Sequence, residues 1–324
     1  KPTRIIDGRG YVTTISYDTK GNPLQINKPE NAVHKFFYNS FNDVTQYIDP
    51  RNKSTNYSYN GTGNLTGIQT PRGSTGITYN SNGTINNFTD PMNRTSTFTY
   101  NSYGNVATVT NNMNHQTSYI YDAASRMTSY TDANLRETSY LYDQNDNVTR
   151  VSKPASNFTN YSYDANDNLY TVSDPNSQTT TFNHNDKDLL ASVSNPTMNQ
   201  TSFDYHDSGM VRNKQKPDFQ SVMYTYDNSS RLLSISGSIT GSFGYDNSDN
   251  LTSAGNQNGS IVNNYDGLNR ITSSTDYYGN TVSYGYDPSG NIISITYPGN
   301  KLVQYTYYDD NLMQSVRDWN NNLT

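Results

Sequence analysis

The sequence predicts an all-β chain, built from β-hairpin repeats of about 21 residues that make one spiralling ribbon. Three observations carry this. A tyrosine landmark recurs from end to end, at Tyr17, Tyr38, Tyr59, Tyr79, Tyr100, Tyr121, Tyr142, Tyr163, Tyr205, Tyr226, Tyr245, Tyr265, Tyr286 and Tyr307, with His184 filling one place of the column. Of the 14 intervals between these 15 positions, 11 are 21 residues and the others are 20, 19 and 20. Flanking columns keep the same register: 12 of 15 positions two residues earlier are aromatic, and 13 of 15 positions one residue later are Asp or Asn. Nine of the 12 prolines fall twelve residues after a landmark.

Each element of a unit has a local cause. Tyr161-Ser162-Tyr163 alternates aromatic and polar, the period of a strand with one aromatic face. Asp164-Ala165-Asn166-Asp167-Asn168 is a turn cluster, since Asp and Asn side chains bond the local backbone and tolerate left-handed geometry. Gly63, Gly83, Gly104, Gly209 and Gly290 take the fourth place of that cluster in other units, where a positive φ has no steric cost for glycine. Leu169-Tyr170-Thr171-Val172 returns to β-forming residues. Asp174-Pro175 then ends the strand, because proline lacks the donor that a ladder needs. The odd offset between Leu169 and Val172 puts them on opposite faces unless a bulge intervenes, and the pattern leaves both readings open. Fifteen such units predict roughly 30 strands, too many for a flat sheet, so the ribbon must coil.

Composition narrows the class. The 324 residues include no Cys, 31% hydrophobic residues and 30 Tyr, with a net charge of −6. A mean hydropathy of −0.89 is low, yet 13% aromatic content and modest charge argue against disorder. Without Cys there is no disulfide or thiol chemistry. No apolar run approaches the ~18 residues of a membrane span. A pI near 5.1 argues against nucleic acid as a partner.

The phrases Tyr121-Asp122-Ala123-Ala124-Ser125-Arg126-Met127, Tyr226-Asp227-Asn228-Ser229-Ser230-Arg231-Leu232 and Tyr286-Asp287-Pro288-Ser289-Gly290-Asn291-Ile292 resemble the YD repeats of Rhs proteins, shared with Tc-toxin C components and teneurins. Thr89-Asp90-Pro91-Met92-Asn93-Arg94-Thr95 adds to the likeness. The resemblance spans residues 1–324 as one array of about 15 units, cut within a repeat at each end. It implies a ribbon wrapped into a hollow shell, secreted or displayed at a cell surface, that encloses or presents another polypeptide. The Asp-bearing plug segment of the bacterial family, which supports self-cleavage, has no counterpart before Thr324. Partners implied are the rest of a longer YD-repeat chain or further copies of this one.

Chemistry has little foothold. His34, His115, His184 and His206 occupy different repeat phases, so no metal spacing emerges. Clusters such as Asp143-Gln144-Asn145-Asp146-Asn147 and Asp246-Asn247-Ser248-Asp249-Asn250 resemble the start of a calcium loop, but Val148 stands where such a loop needs glycine and no Glu follows. No nucleophile elbow occurs. Neither a cofactor nor a catalytic site is expected. Asn56, Asn60, Asn64, Asn87, Asn157, Asn160, Asn199 and Asn250 open glycan sequons, which an Asn- and Ser-rich chain also produces by chance. The leading expectation is a non-catalytic structural segment. Two alternatives stay open: a self-assembling extracellular fibre or adhesin, and a module whose tyrosine columns bind surface glycans.

Overall fold

The computed structural model describes residues 1–155 and 157–324. From Arg4–Ile6 to Met313–Arg317, 31 strands form one antiparallel sheet, and no helix occurs among the described residues. Strands follow one another as hairpins in chain order. The chain packs as two compact units. One comprises Lys1–Thr78, Thr89–Asn93 and Gly241–Thr324; the other comprises Tyr79–Phe88 and Arg94–Thr240. The repeat runs through both.

A β-bulge sits at the landmark tyrosine and settles which residues share a face. In the hairpin of Asn157–Tyr163 and Leu169–Ser173, Tyr161 opposes Val172 and Ser162 opposes Thr171, but Tyr163 opposes Leu169. Tyr170 is therefore the extra residue of the second strand. One inserted residue turns the odd offset between Leu169 and Val172 into a same-face relation. The same register shift recurs at Tyr17, Tyr38, Tyr59, Tyr100, Tyr121, Tyr142, His184, Tyr205, Tyr226, Tyr245, Tyr265, Tyr286 and Tyr307. One face thus carries both aromatic columns with their aliphatic partners. The opposite face carries short hydroxyls that bond across strands, as in Ser162–Thr171 at 2.5 Å, Thr99–Thr108 at 2.7 Å and Thr306–Ser315 at 2.7 Å.

Both turns of a unit share one construction. At the Tyr-Asp turn the Asp122 amide bonds the Arg126 carbonyl, Ser125 N–H donates to the Asp122 carbonyl, and Ser125 has φ 63°. At the Asp-Pro turn Asp49, Asn52 and Lys53 repeat those bonds, with Asn52 at φ 63°. This is a three-residue hairpin loop closed by a left-handed residue. The Asp carboxylate fixes it: Asp122 Oδ1 accepts from the amides of Ala124 and Arg126, and Asp49 Oδ1 from those of Arg51 and Lys53. In Asp18, Asp132 and Asp227 the amide four residues on is the largest influence, and it holds each carboxyl below its usual pKa. At Asp122 the side-chain bond from Arg126 is largest and acts the same way.

The core is thin. Among the described residues Ala32, Val222 and Val303 are the buried hydrophobic ones, and most aromatic-face side chains are half-buried. Leu135, Met198 and Phe219 hold the left-handed place of their Asp-Pro turns, at φ 61°, 63° and 62°, and are 86%, 84% and 85% exposed. Nothing in the structure explains bulky side chains there.

Two outcomes are expected. Leu135→Gly should stabilise the chain by about 1 kcal/mol, because it relieves a left-handed non-glycine residue and gives up little packing; urea unfolding checks it. Carboxyls depressed in the folded state contribute stability above the unfolded pKa, here the ordinary value of 3.8, and lose it as pH falls through the lower folded value. The urea midpoint should therefore hold above about pH 5 and drop below about pH 4. Asp227→Asn, which keeps an acceptor, should flatten part of that drop.

Candidate functional site: the tyrosine ladder and an edge seam

The landmark tyrosines link one repeat to the next through their hydroxyls. Tyr163 Oη donates to the Val148 carbonyl at 2.9 Å, and Val148 is the residue that opposes Tyr142 at the preceding bulge. Tyr17, Tyr38, Tyr59, Tyr142, Tyr205, Tyr226, Tyr286 and Tyr307 make the same bond to a carbonyl 15 residues back, and Tyr265 reaches 14 back to Leu251. Burial pushes the hydroxyls of Tyr38, Tyr59, Tyr163, Tyr205, Tyr226 and Tyr307 above their usual pKa, so they remain donors. Two residues earlier the aromatic column packs across the strand, as in Phe36 on Tyr47 with ring centres 5.2 Å apart.

Turn side chains add a second link. Asn168 Nδ2 donates to its own Asp164 and, at 2.9 Å, to Asp188 in the next Tyr-Asp turn. Arg126 pairs with its own Asp122 at 2.7 Å, reaches Asp146 at 2.6 Å and covers the Tyr142 ring at 4.8 Å. Arg270 stands over Tyr286 in the same way at 4.4 Å. These contacts explain why Asn or Arg ends the turn phrase.

The histidines have separate surroundings. His34 Nδ1 lies 2.7 Å from Tyr47 Oη, and burial, then the Lys28 charge, holds its imidazole below the usual pKa. His115 is exposed. His206 Nε2 is 3.3 Å from the Tyr224 carbonyl, and its ring meets Tyr226 edge-on. His184 keeps the ladder position without the hydroxyl; its Nδ1 is buried without a hydrogen bond, 3.8 Å from Asp164. Among the described residues no group of three or more His, Asp or Glu side chains could hold a metal ion. Of the sequon asparagines, Asn60, Asn157, Asn160 and Asn199 are exposed, while Asn56, Asn64, Asn87 and Asn250 are half-buried.

Periodicity gave no sign of the seam inside the first unit. There the Asp-Pro turns of Lys1–Thr78 dock on the Tyr-Asp turns of Gly241–Thr324. Arg9 pairs with Asp246 at 3.5 Å and donates to the Asp266 carbonyl at 2.6 Å. Glu30 accepts from the Gly267 amide at 3.2 Å. Arg51 meets Asp287 at 3.5 Å and the Tyr308 carbonyl at 2.6 Å, with Ser289 donating to Asp49 at 3.4 Å. Lys53–Asp309 at 2.9 Å and Arg72–Asp310 at 3.7 Å complete it. Four successive turns on each side meet in order, and Arg9 and Arg51 each span two turns of the opposite row. Two glycines allow the approach: a Cβ on Gly8 would overlap the Asn247 carbonyl, and one on Gly267 would press on Pro29 and Tyr11. A cavity of about 400 Å³ opens along the seam, lined by His34, Asp49, Lys53, Arg72, Asp309 and Leu312 among others. Its sequence signal is a basic residue just after the Pro column, at Arg9, Arg51 and Arg72.

Tyr163→Phe should cost about 0.5–1.5 kcal/mol, the net worth of one hydrogen bond. His184→Tyr should stabilise by a similar amount, since it restores a hydroxyl and removes a buried unpaired nitrogen; thermal unfolding of the pair checks both. Gly8→Ala should open the seam while leaving the hairpins folded, seen as new protease cleavage near Asn247 with unchanged β-sheet circular dichroism.

The RHS repeat model matches residues 38–75 and 265–302, and the teneurin YD-shell model matches residues 74–189. No curated protein sequence matches the chain. The fold is that of solved Tc-toxin shells. A structure of the Photorhabdus luminescens Tc holotoxin pore, carrying a TccC3 mutation, superposes with a TM-score of 0.81 at 16% identity, over 94% of this chain and 20% of that one. The crystal structure of TcdB2-TccC3-TEV gives 0.78 at 13% identity, over 95% and 22%. TcdB2-TccC3 without its hypervariable C-terminal region gives 0.74 at 15%, over 96% and 19%. The chain thus spans about a fifth of the length of these proteins. Residues 38–189 and 265–302 thus match the RHS repeat and teneurin YD-shell models, and the bulged hairpin unit of those stretches recurs through the remaining repeats.

Proposed function

We propose that this chain is a non-catalytic wall segment of a YD-repeat shell, secreted or at a cell surface, which encloses or presents another polypeptide. The observation that supports it most is the match of nearly the whole chain to the Tc-toxin shell fold, at a TM-score of 0.81. The ladder adds a physical reason. Its repeated bonds hold one repeat to the next. A wall needs continuity of that kind; a catalyst needs one convergent site. The aromatic face, half-buried and continuous, offers an apolar lining to an unfolded polypeptide.

Limited proteolysis of the native protein tests the reading. A co-purifying polypeptide should resist protease until the ribbon itself unfolds, and it should become sensitive at the same denaturant concentration. Digestion at the rate of a free peptide, with the ribbon intact, would overturn it.

A further inference from the structure

A carboxylate lies buried at the seam with no cation of the chain beside it. Asp49 heads an Asp-Pro turn there and is 9% exposed, the one buried charged residue among the described residues. Its Oδ1 is committed to the turn, where it accepts from the amides of Arg51 and Lys53. Among the described residues its Oδ2 has one partner, the Ser289 hydroxyl of the opposite arm, at 3.4 Å, longer than a good hydroxyl bond. The nearby cations pair elsewhere. Arg51 turns to Asp287 and the Tyr308 carbonyl, Lys53 pairs with Asp309, and Arg72 pairs with Asp310. Burying a carboxylate is costly unless it is paired.

The seam cavity beside Asp49 has the size and lining of a small-ligand site. It measures about 400 Å³, and both arms build it: His34, Tyr47 and Asp49 from one, Ser289 and Leu312 from the other. Such sites run ~300–1,000 Å³, with apolar walls and a few placed polar groups. Tyr47, Pro50, Pro71 and Leu312 supply apolar wall here. Charge sets the sign of the ligand. Lys53–Asp309 and Arg72–Asp310 cancel in pairs. Burial, then the Lys28 charge, disfavours protonation of His34. Asp49 is left as the uncompensated charge of the lining.

We infer that the seam cavity binds a small organic monocation, an amine or guanidinium on a short apolar stem, with Asp49 as its counter-ion. The charged head meets Asp49 Oδ2, and the stem lies against Tyr47, Pro50 and Leu312. A charge-assisted bond of this kind is roughly twice as strong as a neutral one. Among the described residues no group of three or more His, Asp or Glu side chains could hold a metal ion, so an organic head suits the site better than a bare metal. Asp49 and Ser289 are 240 residues apart in the chain, so a cation between them bridges both arms and holds the seam shut. This inference does not rest on the proposed enclosure of a polypeptide.

Titration calorimetry of the intact chain with n-butylammonium and n-butylguanidinium tests it, with n-butanesulfonate, calcium ion and an arginine-containing tripeptide as comparison probes. Hydrogen exchange reads the seam in the same samples. At least one of the two organic cations should bind at a single site, and it should slow exchange at amides near Lys53 and near Leu312 together. Asp49→Asn should weaken that binding about tenfold or more. The turn survives the change, since Asn111 and Asn195 head Asp-Pro turns through the same two amide bonds. Seam exchange in the free Asp49→Asn variant should match that of the unaltered chain. Asp132→Asn, at a turn head of the other unit, should leave binding unchanged. Any one of five results would overturn the inference: no binding of either organic cation at millimolar concentration, binding untouched by Asp49→Asn, binding lost only because that variant's seam has already parted, protection confined to one arm, or preference for the sulfonate or calcium. Binding of the tripeptide alone would assign the cavity to a peptide side chain and overturn it as well.

Discussion

Everything in this chain depends on one inserted residue per repeat. The bulge beside each landmark tyrosine brings both aliphatic positions of the returning strand onto the face of the two aromatic columns. Without it, Leu169 would lie on the opposite face from Val172, and the aromatic columns would lose one of their two aliphatic partners. With it, one face is aromatic and aliphatic and the other is a field of Ser and Thr hydroxyls bonded in pairs. The landmark hydroxyl of the next unit then donates to the carbonyl of the residue that opposes the tyrosine at this bulge. Face selection and repeat-to-repeat linkage thus come from the same local distortion.

A ribbon held this way has no need of a thick core. At least ten landmark hydroxyls among the described residues bond a carbonyl of the preceding unit. At roughly 1 kcal/mol each, such bonds approach the net stability of a whole domain, before any ring packing is counted. Each term couples only neighbouring units, so stability is close to a sum over nearest-neighbour contacts. His184 shows what a gap in that sum looks like. Its ring still packs in the column, at 15% side-chain exposure, but its unit lacks the hydroxyl and leaves a nitrogen unpaired.

Much of this was legible in the sequence, because the determining contacts are local. The hairpin unit, both turns and the two aromatic columns follow from residue types within 21 positions of one another, and the chain folds accordingly. The bulge was open to either reading, since composition alone does not say whether Tyr170 is paired or extra. The hydroxyl bonds were hidden for another reason: a Tyr column is equally consistent with packing by rings alone. The seam was beyond reach. Arg9 and Asp246 are separated by more than two hundred residues, and periodicity carries no information about which repeats meet at such distance. Gly8 and Gly267 read as ordinary turn glycines until the opposite edge is in view.

Ladder and seam are physically unlike, and that difference bears on what a wall can do. Ladder bonds are partly buried, sit within the sheet and span about one repeat. The seam is polar and mixed in exposure: the side chains of Arg9–Asp246 and Arg51–Asp287 are 12–18% accessible, whereas those of Lys53, Asp309 and Arg72 are 38%, 58% and 50% accessible. Exposed ion pairs of this kind contribute little each and are screened by salt, whereas hydroxyl-to-carbonyl bonds on a half-buried face are not. The end of the seam at Lys53–Asp309 and Arg72–Asp310 is therefore its salt-sensitive part. A wall built so yields along its edges before its hairpins unfold. The ribbon keeps its repeat structure while the edges part, and those edges are where charge and glycine depart from the repeat.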